Sequence, residues 1–554
     1  MSAIVCLPVD FSENSVGLPP LLEERIDSRS VLYHTASRLS LSGDLRVVLL
    51  LPDGRGCDGA AERARELTSG LDCEVFTSSA GDVPGRELLR RGRLWALSSW
   101  RGGIGHTTYY DEAGRPAALA EAAERFDADA VGLVTPDSPY ADPELASRIL
   151  AWHRDRIKKA RVTVAGVPPG LAPAFFNAEV LKAYADSNLT LASSIAYQRS
   201  RPRRDLSTTE AHYEADIRLR TAPWRLTAHS RRQLDLLRGL AECGAAPTRA
   251  TALDVVETLR GNHGLWSGPV PQKIEIEPTT RTDGAPFYLR DLVESRPEAD
   301  LPLQDFRRML DSLAPHRDVL LTLGGLGEPM LHARLPEMVA AAKEAGVLGV
   351  HVATCGRLLD ERTFLELREA GLDVLSVDIA AHTEETYERL FGREGLARAA
   401  AATEKAFELR RSSGWSAPLV VAEITKSRQV EPEIEGFFDH WQGRCDWPLI
   451  RPYNDFAGEI EDAATVHMRT SSRGPCRKIF TELFVDAEGR AWPCRQDVKC
   501  TRPLGDAAEA GIPTLWHSDF LEGLREAEAR RAQMGGGHEV FELCRNCRDW
   551  YYSS

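Results

Sequence analysis

GPCRKIFTELFVDAEGRAWPCRQD, residues 474–497, places Cys476 and Cys494 on either side of an alternating run that turns at Gly489. KIFTELFV, then DAEG, then RAWPC reads as a β-hairpin, which brings the two thiols close together. Downstream, CRNC adds Cys544 and Cys547. A C-x2-C loop sets two more thiolates on one face, and soft sulfur ligands in fours hold iron–sulfur clusters or zinc. Buried core thiols are the plain alternative and the weaker one. The expectation is one [4Fe–4S] cluster on Cys476, Cys494, Cys544 and Cys547, with Zn²⁺ as the rival metal. Cys500 is a spare, either a free thiol or an alternate ligand.

Upstream of this stretch the chain alternates strands and helices. Apolar runs KIEIEP (273–278), DVLLTLGG (318–325), GVHVATCG (349–356), DVLSVDI (373–379), PLVVAEITK (418–426) and WPLIRPY (447–453) are separated by helical patterns at 334–345, 360–370, 384–391, 396–413 and 431–443. That repetition suits an open or partial barrel. An earlier series comprises AIVCLPV (3–9), LRVVLLLP (45–52), CEVFTSS (73–79), AVGLVTP (130–136) and RVTVAGV (161–167). It predicts a mainly parallel sheet covered on both faces. Between the two series, SRRQLDLLRGLAECG has amphipathic helical spacing and GNHGLWSGPVP reads as a linker.

Composition narrows the partners. The chain has 554 residues and a net charge of −14. A nucleic-acid surface wants a basic balance, so that class falls away, and the arginines at 199–204 read as a solvated loop. The first residues, MSAIVCLPVDFSENS, carry neither a positive nor a long apolar region, and no stretch reaches the ~18 apolar residues a bilayer span needs. Five of the eleven cysteines fall between Cys476 and Cys547, which suits a metal site in a reducing, cytoplasmic setting better than a disulfide framework.

The hairpin, followed by LGD (504–506), LWHSDFLEGLREA and CRNC, resembles the SPASM or twitch extension of radical SAM enzymes, in which these four cysteine positions hold one auxiliary [4Fe–4S] cluster. LGGLGEPMLH (323–332) is similar to the GGEP motif of that family, where the backbone and a glutamate hold the amino end of SAM. On this resemblance Gly324, Gly325, Gly327 and Glu328 form a SAM-like loop. ATCGRLLD (353–360) and LDVLSVDIAAHTEETYERLFG (372–392) match further family segments in order. One departure dominates. The family places C-x3-C-x2-C after its first barrel strand, and here IEIEPTTRTDGAPFYLRD (274–291) has no cysteine, nor has any position between Cys243 and Cys355. Three thiolates are needed to hold a cluster with an iron open to SAM, so radical catalysis is not assigned and SAM is the weakest of the expected cofactors.

DADAVGLVTPDSPYADPELASRIL (127–150) and LPPLLEERIDSRSVLYHTASRL (18–39) resemble nucleotidyltransferases of the cytidylyltransferase group, which have a GT-A fold. The resemblance implies Mg²⁺ at Asp137, a hard carboxylate suited to that ion. SWRGGIGHTTYYDE (99–112) adds Arg101, His106 and Asp111 as candidates for a nucleotide site. The first loop, DFSENSVG (10–17), departs from the family's basic, glycine-rich form.

The combined expectation is an α/β multidomain chain: a GT-A-like parallel-sheet domain at 1–205, a helical linker at 206–268, a radical SAM-like partial (β/α) barrel at 269–470 and a small α+β Fe–S SPASM/twitch domain at 471–554. The layout resembles the spiro-SPASM proteins. The expected partners are a nucleotide or sugar nucleotide and a protein, with no nucleic acid.

Overall fold

The computed structural model describes residues 2–52, 59–81, 85–97, 104, 109–112, 114–156, 161–187, 190–194, 212–466, 475–534 and 540–550. Two compact units divide the chain, Met1–Leu265 and Trp266–Ser554.

In the first unit the apolar runs become β1 (Ala3–Pro8), β4 (Arg46–Pro52), β5 (Cys73–Ser78), β6 (Ala130–Leu133) and β7 (Val162–Ala165), joined by β8 (Ala174–Asn177) and β9 (His212–Tyr213). Their order is β5-β4-β1-β6-β8-β7-β9. The first four strands are parallel, and β8 runs antiparallel to both β6 and β7. A two-stranded hairpin of β2 (Arg25–Ile26) and β3 (Arg29–Ser30) leads into the helix Val31–Ser40, whose first turn is capped by Ser30.

Residues 217–261 pack into this unit. The helix Arg231–Glu242 and the capping-box helix Ala252–Gly261 are tied back to the sheet layer. Buried Arg38 donates to the carbonyls of Ala141, Pro247 and Ala250, and the Tyr140 hydroxyl donates to those of Leu237 and Ala245. A stretch whose polarity suggests a linker thus satisfies buried donors of the domain before it.

The second unit is built on β10 (Lys273–Ile276), β11 (Leu320–Leu323), β12 (Gly349–Thr354), β13 (Val374–Asp378), β14 (Leu419–Lys426) and β15 (Trp447–Pro452). These six are parallel and adjacent in chain order, with helices between them. One set of alternate residues, Ile274, Leu321, Val350, Leu375 and Val420 among them, joins a single apolar core with the helices. The other set is largely polar.

The hairpin of β16 (Glu482–Val485) and β17 (Arg490–Trp492) extends this same sheet. β16 pairs parallel with β10, Ile274 opposite Leu483 and Ile276 opposite Val485, and β18 (Gly505–Asp506) closes the edge. Gly489 holds φ +83° in the turn, a conformation that side-chain-bearing residues rarely adopt. Among the described residues no helix is long and apolar enough to cross a membrane.

Candidate iron–sulfur site and glycine loop

The hairpin positions Cys476 and Cys494; Cys544 lies in the short helix Leu543–Asn546, and Cys547 is the residue that caps its C-terminus. Cys476 is buried, and its N–H donates to Glu528 Oε2 at 2.8 Å. Gln496 N–H donates to Cys494 Sγ at 3.4 Å. The thiols act on one another. Burial holds Cys476 well above the ordinary thiol range, and Cys494, Cys547, Glu528 and Cys544 add to the rise. Burial likewise raises Cys494, reinforced by Cys547 and Cys544 and opposed by the Gln496 N–H and Lys478. Thiols that resist ionising, as Cys476 and Cys494 do, are stabilised as thiolates by a cationic centre beside them. Four cysteines are a soft thiolate donor set, of the kind that fits a [4Fe–4S] cluster and also suits Zn²⁺.

Around the site, Lys478 pairs with Asp549, which also accepts from Gln496 Nε2 at 2.7 Å. Asp497 accepts from Thr501 N, Thr501 Oγ1 and Arg502 N and fixes the loop after Cys494. Cys500 stands apart. Burial pushes it up to about 11, and the charges acting on it are Asp486, Arg296, Arg490 and Asp497.

The glycine loop after β11 is packed against protein. Glu277, fully buried and paired with Arg296, accepts the N–H groups of Leu326 and Gly327 on one carboxylate oxygen, at 3.0 and 2.9 Å. A Cβ at Gly327 would lie 1.8 Å from the Thr279 carbonyl oxygen, so glycine is required there by the neighbouring backbone. Glu328 is buried as well. It accepts from Met330 N at 3.0 Å, Thr354 Oγ1 at 2.7 Å and Cys355 N at 2.8 Å.

The segment after β10 is held by charge. Asp283 pairs with Arg357 at 2.9 Å and Arg393 at 2.8 Å, and Arg357 reaches Tyr387 OH at 2.6 Å. Burial alone would raise the Asp283 carboxyl, but the two guanidiniums outweigh it and hold it low. No thiol stands in this segment, so its residues do not fit a cluster at this position.

In the first unit Asp137 follows β6 and is 4% exposed. Burial raises its carboxyl, against the pull of Thr135 and Arg225. Beside it Glu112 is wholly buried between Arg93 at 2.7 Å and Arg225. So enclosed a carboxyl is a poor seat for Mg²⁺, which keeps several waters. Arg101 and His106 lie outside the described residues. Asp111 lies in the helix Tyr109–Glu112, with its side chain outside the description. In the acidic first loop Glu13 pairs with Arg90.

Sequence reasoning missed Glu275, Glu423 and Arg451 on the polar side of the barrel-like sheet. Their signal was present as single charges at alternating positions within KIEIEP, VVAEITK and LIRPY.

Residues 284–427 match the family model of the radical SAM superfamily, and residues 476–548 match that of the SPASM iron–sulfur cluster-binding domain. An uncharacterised protein of Treponema pallidum (strain Nichols) is 22% identical over 241 residues, 42% of this chain and 64% of its own length. The PqqA peptide cyclase of Granulibacter bethesdensis is 29% identical over 146 residues, 26% of this chain and 37% of its own. The chain therefore spans less than two thirds of either relative. Streptococcus suis SuiB bound to precursor peptide SuiA is similar with a TM-score of 0.39 and 15% identity, over 49% of this chain and 70% of its own. The second unit of this chain carries a radical SAM domain followed by a SPASM iron–sulfur domain.

Proposed function

We propose that this is an iron–sulfur protein with one [4Fe–4S] cluster, on Cys476, Cys494, Cys544 and Cys547, and a radical SAM domain that binds a small molecule without a cluster of its own. The observation that carries the reading is the segment after β10, which has no cysteine and is pinned by Asp283 to Arg357 and Arg393. The auxiliary cluster supplies a redox-capable metal centre. The protein's own groups shape it: the Gln496 N–H stabilises charge on Cys494, and the Lys478–Asp549 pair places a cation beside the thiolates. In this reading the barrel at 269–470 and the iron–sulfur domain at 471–554 are retained, the helices of the segment 206–268 belong with the first domain, the protein is cytoplasmic, and the first domain binds a nucleotide or sugar nucleotide in glycoconjugate modification. Relatives named for acting on peptides keep a peptide among the substrate classes.

A second reading, a non-catalytic iron–sulfur scaffold, is favoured by the enclosure of Asp137 and by the Glu13–Arg90 pair in the first loop. A thermal-shift screen with CTP, UTP and nucleotide sugars, each with Mg²⁺, separates the two. A ligand at ~100 times its Kd adds about 2.7 kcal/mol, and no shift with any of them leaves the scaffold.

Anaerobic purification with iron, sulfide and zinc analysis tests the cluster assignment. The expected result is about four irons and four sulfides, lost when Cys544 and Cys547 become Ala. About eight irons would return a second cluster, and radical catalysis with it. Zinc in place of iron would overturn the cluster.

A further inference from the structure

The helix Asp519–Met534 turns one face to the core, where Leu521 and Leu524 are wholly buried. Further along the chain the same helix buries Glu528 and Arg531. Their side chains are 0% and 3% exposed, and Arg531 Nη1 stands 2.9 Å from Glu528 Oε1. The other oxygen, Oε2, accepts the N–H of Cys476 at 2.8 Å. The carboxylate is therefore a member of a sealed ion pair that touches a cysteine of the candidate cluster.

A buried ion pair adds little net stability, and well-packed apolar residues of similar volume often do better. A leucine at 528 would continue the apolar stripe of the helix. The chain places a charge there, against the backbone of Cys476, and two effects follow for a cluster bound at that cysteine. A fixed negative charge in a low-dielectric interior acts with little screening. The Cys476 N–H, engaged by the carboxylate, is also withheld from sulfur, whereas the Gln496 N–H donates to Cys494 Sγ at 3.4 Å. Local charge and hydrogen bonds to sulfur are the protein's levers on the potential of an iron–sulfur cluster. Both effects at Cys476 oppose the uptake of an electron. On the Cys494 side, the Gln496 N–H and Lys478, the cation paired with Asp549, favour it.

We propose that Glu528 is a positioning residue that acts through Cys476 to lower the reduction potential of the cluster, with Arg531 holding the carboxylate in place. A bias against taking up an electron is the bias of a donor centre. The inference rests on the proposed reading in which the four cysteines hold a [4Fe–4S] cluster, and it names a residue that sets how readily that centre is reduced.

Spectroelectrochemical titration of the full chain, purified without oxygen, tests it on the one-electron couple of the cluster. Glu528→Gln removes the charge and keeps an oxygen that can accept the Cys476 N–H. The expected result is a rise in midpoint potential of about 59 mV, a tenfold shift in the reduction equilibrium. Lys478→Met is expected to lower the potential. The two variants then move in opposite directions, which a general loosening of the site would not produce. If Glu528→Gln holds less iron than the parent, Glu528→Gln combined with Arg531→Gln, which leaves neither charge of the pair buried, takes its place with a rise of the same sign. An unchanged or lowered potential at full iron content, a shift of the Glu528 and Lys478 variants in one direction, loss of iron from both Glu528 variants, or a cluster that no applied potential reduces in parent and variant alike overturns it. Metal and sulfide analysis of the same samples separates the two levels. About four irons with an unmoved potential removes this inference alone, whereas zinc in their place removes the reading beneath it.

Discussion

Glu112 is the residue whose surroundings dictate its behaviour most completely. Its carboxylate is wholly buried between Arg93 and Arg225. Burial opposes its charge, yet the two guanidiniums outweigh burial and lower its pKa. Removing one member of such a set strands a buried charge, so Glu112→Gln is expected to cost about 3–5 kcal/mol in urea unfolding. The sign with pH follows. A carboxyl lowered from 4.5 contributes stability above that pH and loses it as pH falls through its folded value. Gly327 gives a second expectation. A Cβ there meets the Thr279 carbonyl, so Gly327→Ala should lower the thermal midpoint, whereas Gly443→Ala, which changes a glycine with open space around it, should lower it less. The four cysteines stand out in the sequence as a candidate ligand set because of their spacing. The Asp283–Arg357 pair does not, because 74 residues separate its members and nothing in either neighbourhood names the other.

At the scale of elements, all six strands of the radical SAM domain and the hairpin near Cys476 were legible. Their apolar runs are long, and glycine, proline or charged residues bound them. β8 escaped notice because AFFN is a four-residue run behind the proline-rich GVPPGLAP, which reads as loop. The pairing of β16 with β10 escaped for a different reason. Alternation reveals that a strand has a buried face, but not which strand will lie beside it. The consequence is testable. A chain stopped after Gly474 lacks β16 and leaves β10 as a sheet edge, with Ile274 and Ile276 stripped of Leu483 and Val485. Such a chain is expected to lose soluble yield and its cooperative thermal transition, and survival of both would mean that the six strands hold without the hairpin.

Across the whole molecule, buried imidazoles set the response to acid. Burial lowers His34, His153, His212, His229, His332 and His351, with His153 at about 4 and His351 at about 3. A base whose folded value lies below its unfolded one, near 6.5, gives stability that is present above 6.5 and lost as pH falls toward the folded value. Buried carboxyls such as Glu275 and Glu423, raised by burial, act in the opposite sense. The isolating measurement is therefore differential. Between pH 7 and pH 5, His153→Gln should lose about 1–2 kcal/mol less stability than the parent.

The pairing of β10 with β16 also governs how the protein is made. Roughly two hundred residues separate the two strands, and at ~5–20 residues per second a ribosome takes about 10–40 s to deliver the second after the first. During that interval β10 has β11 on one side and an open row of peptide groups on the other. The nascent chain must be sheltered from its neighbours until the hairpin emerges, and the sheet then closes by a slow, long-range step.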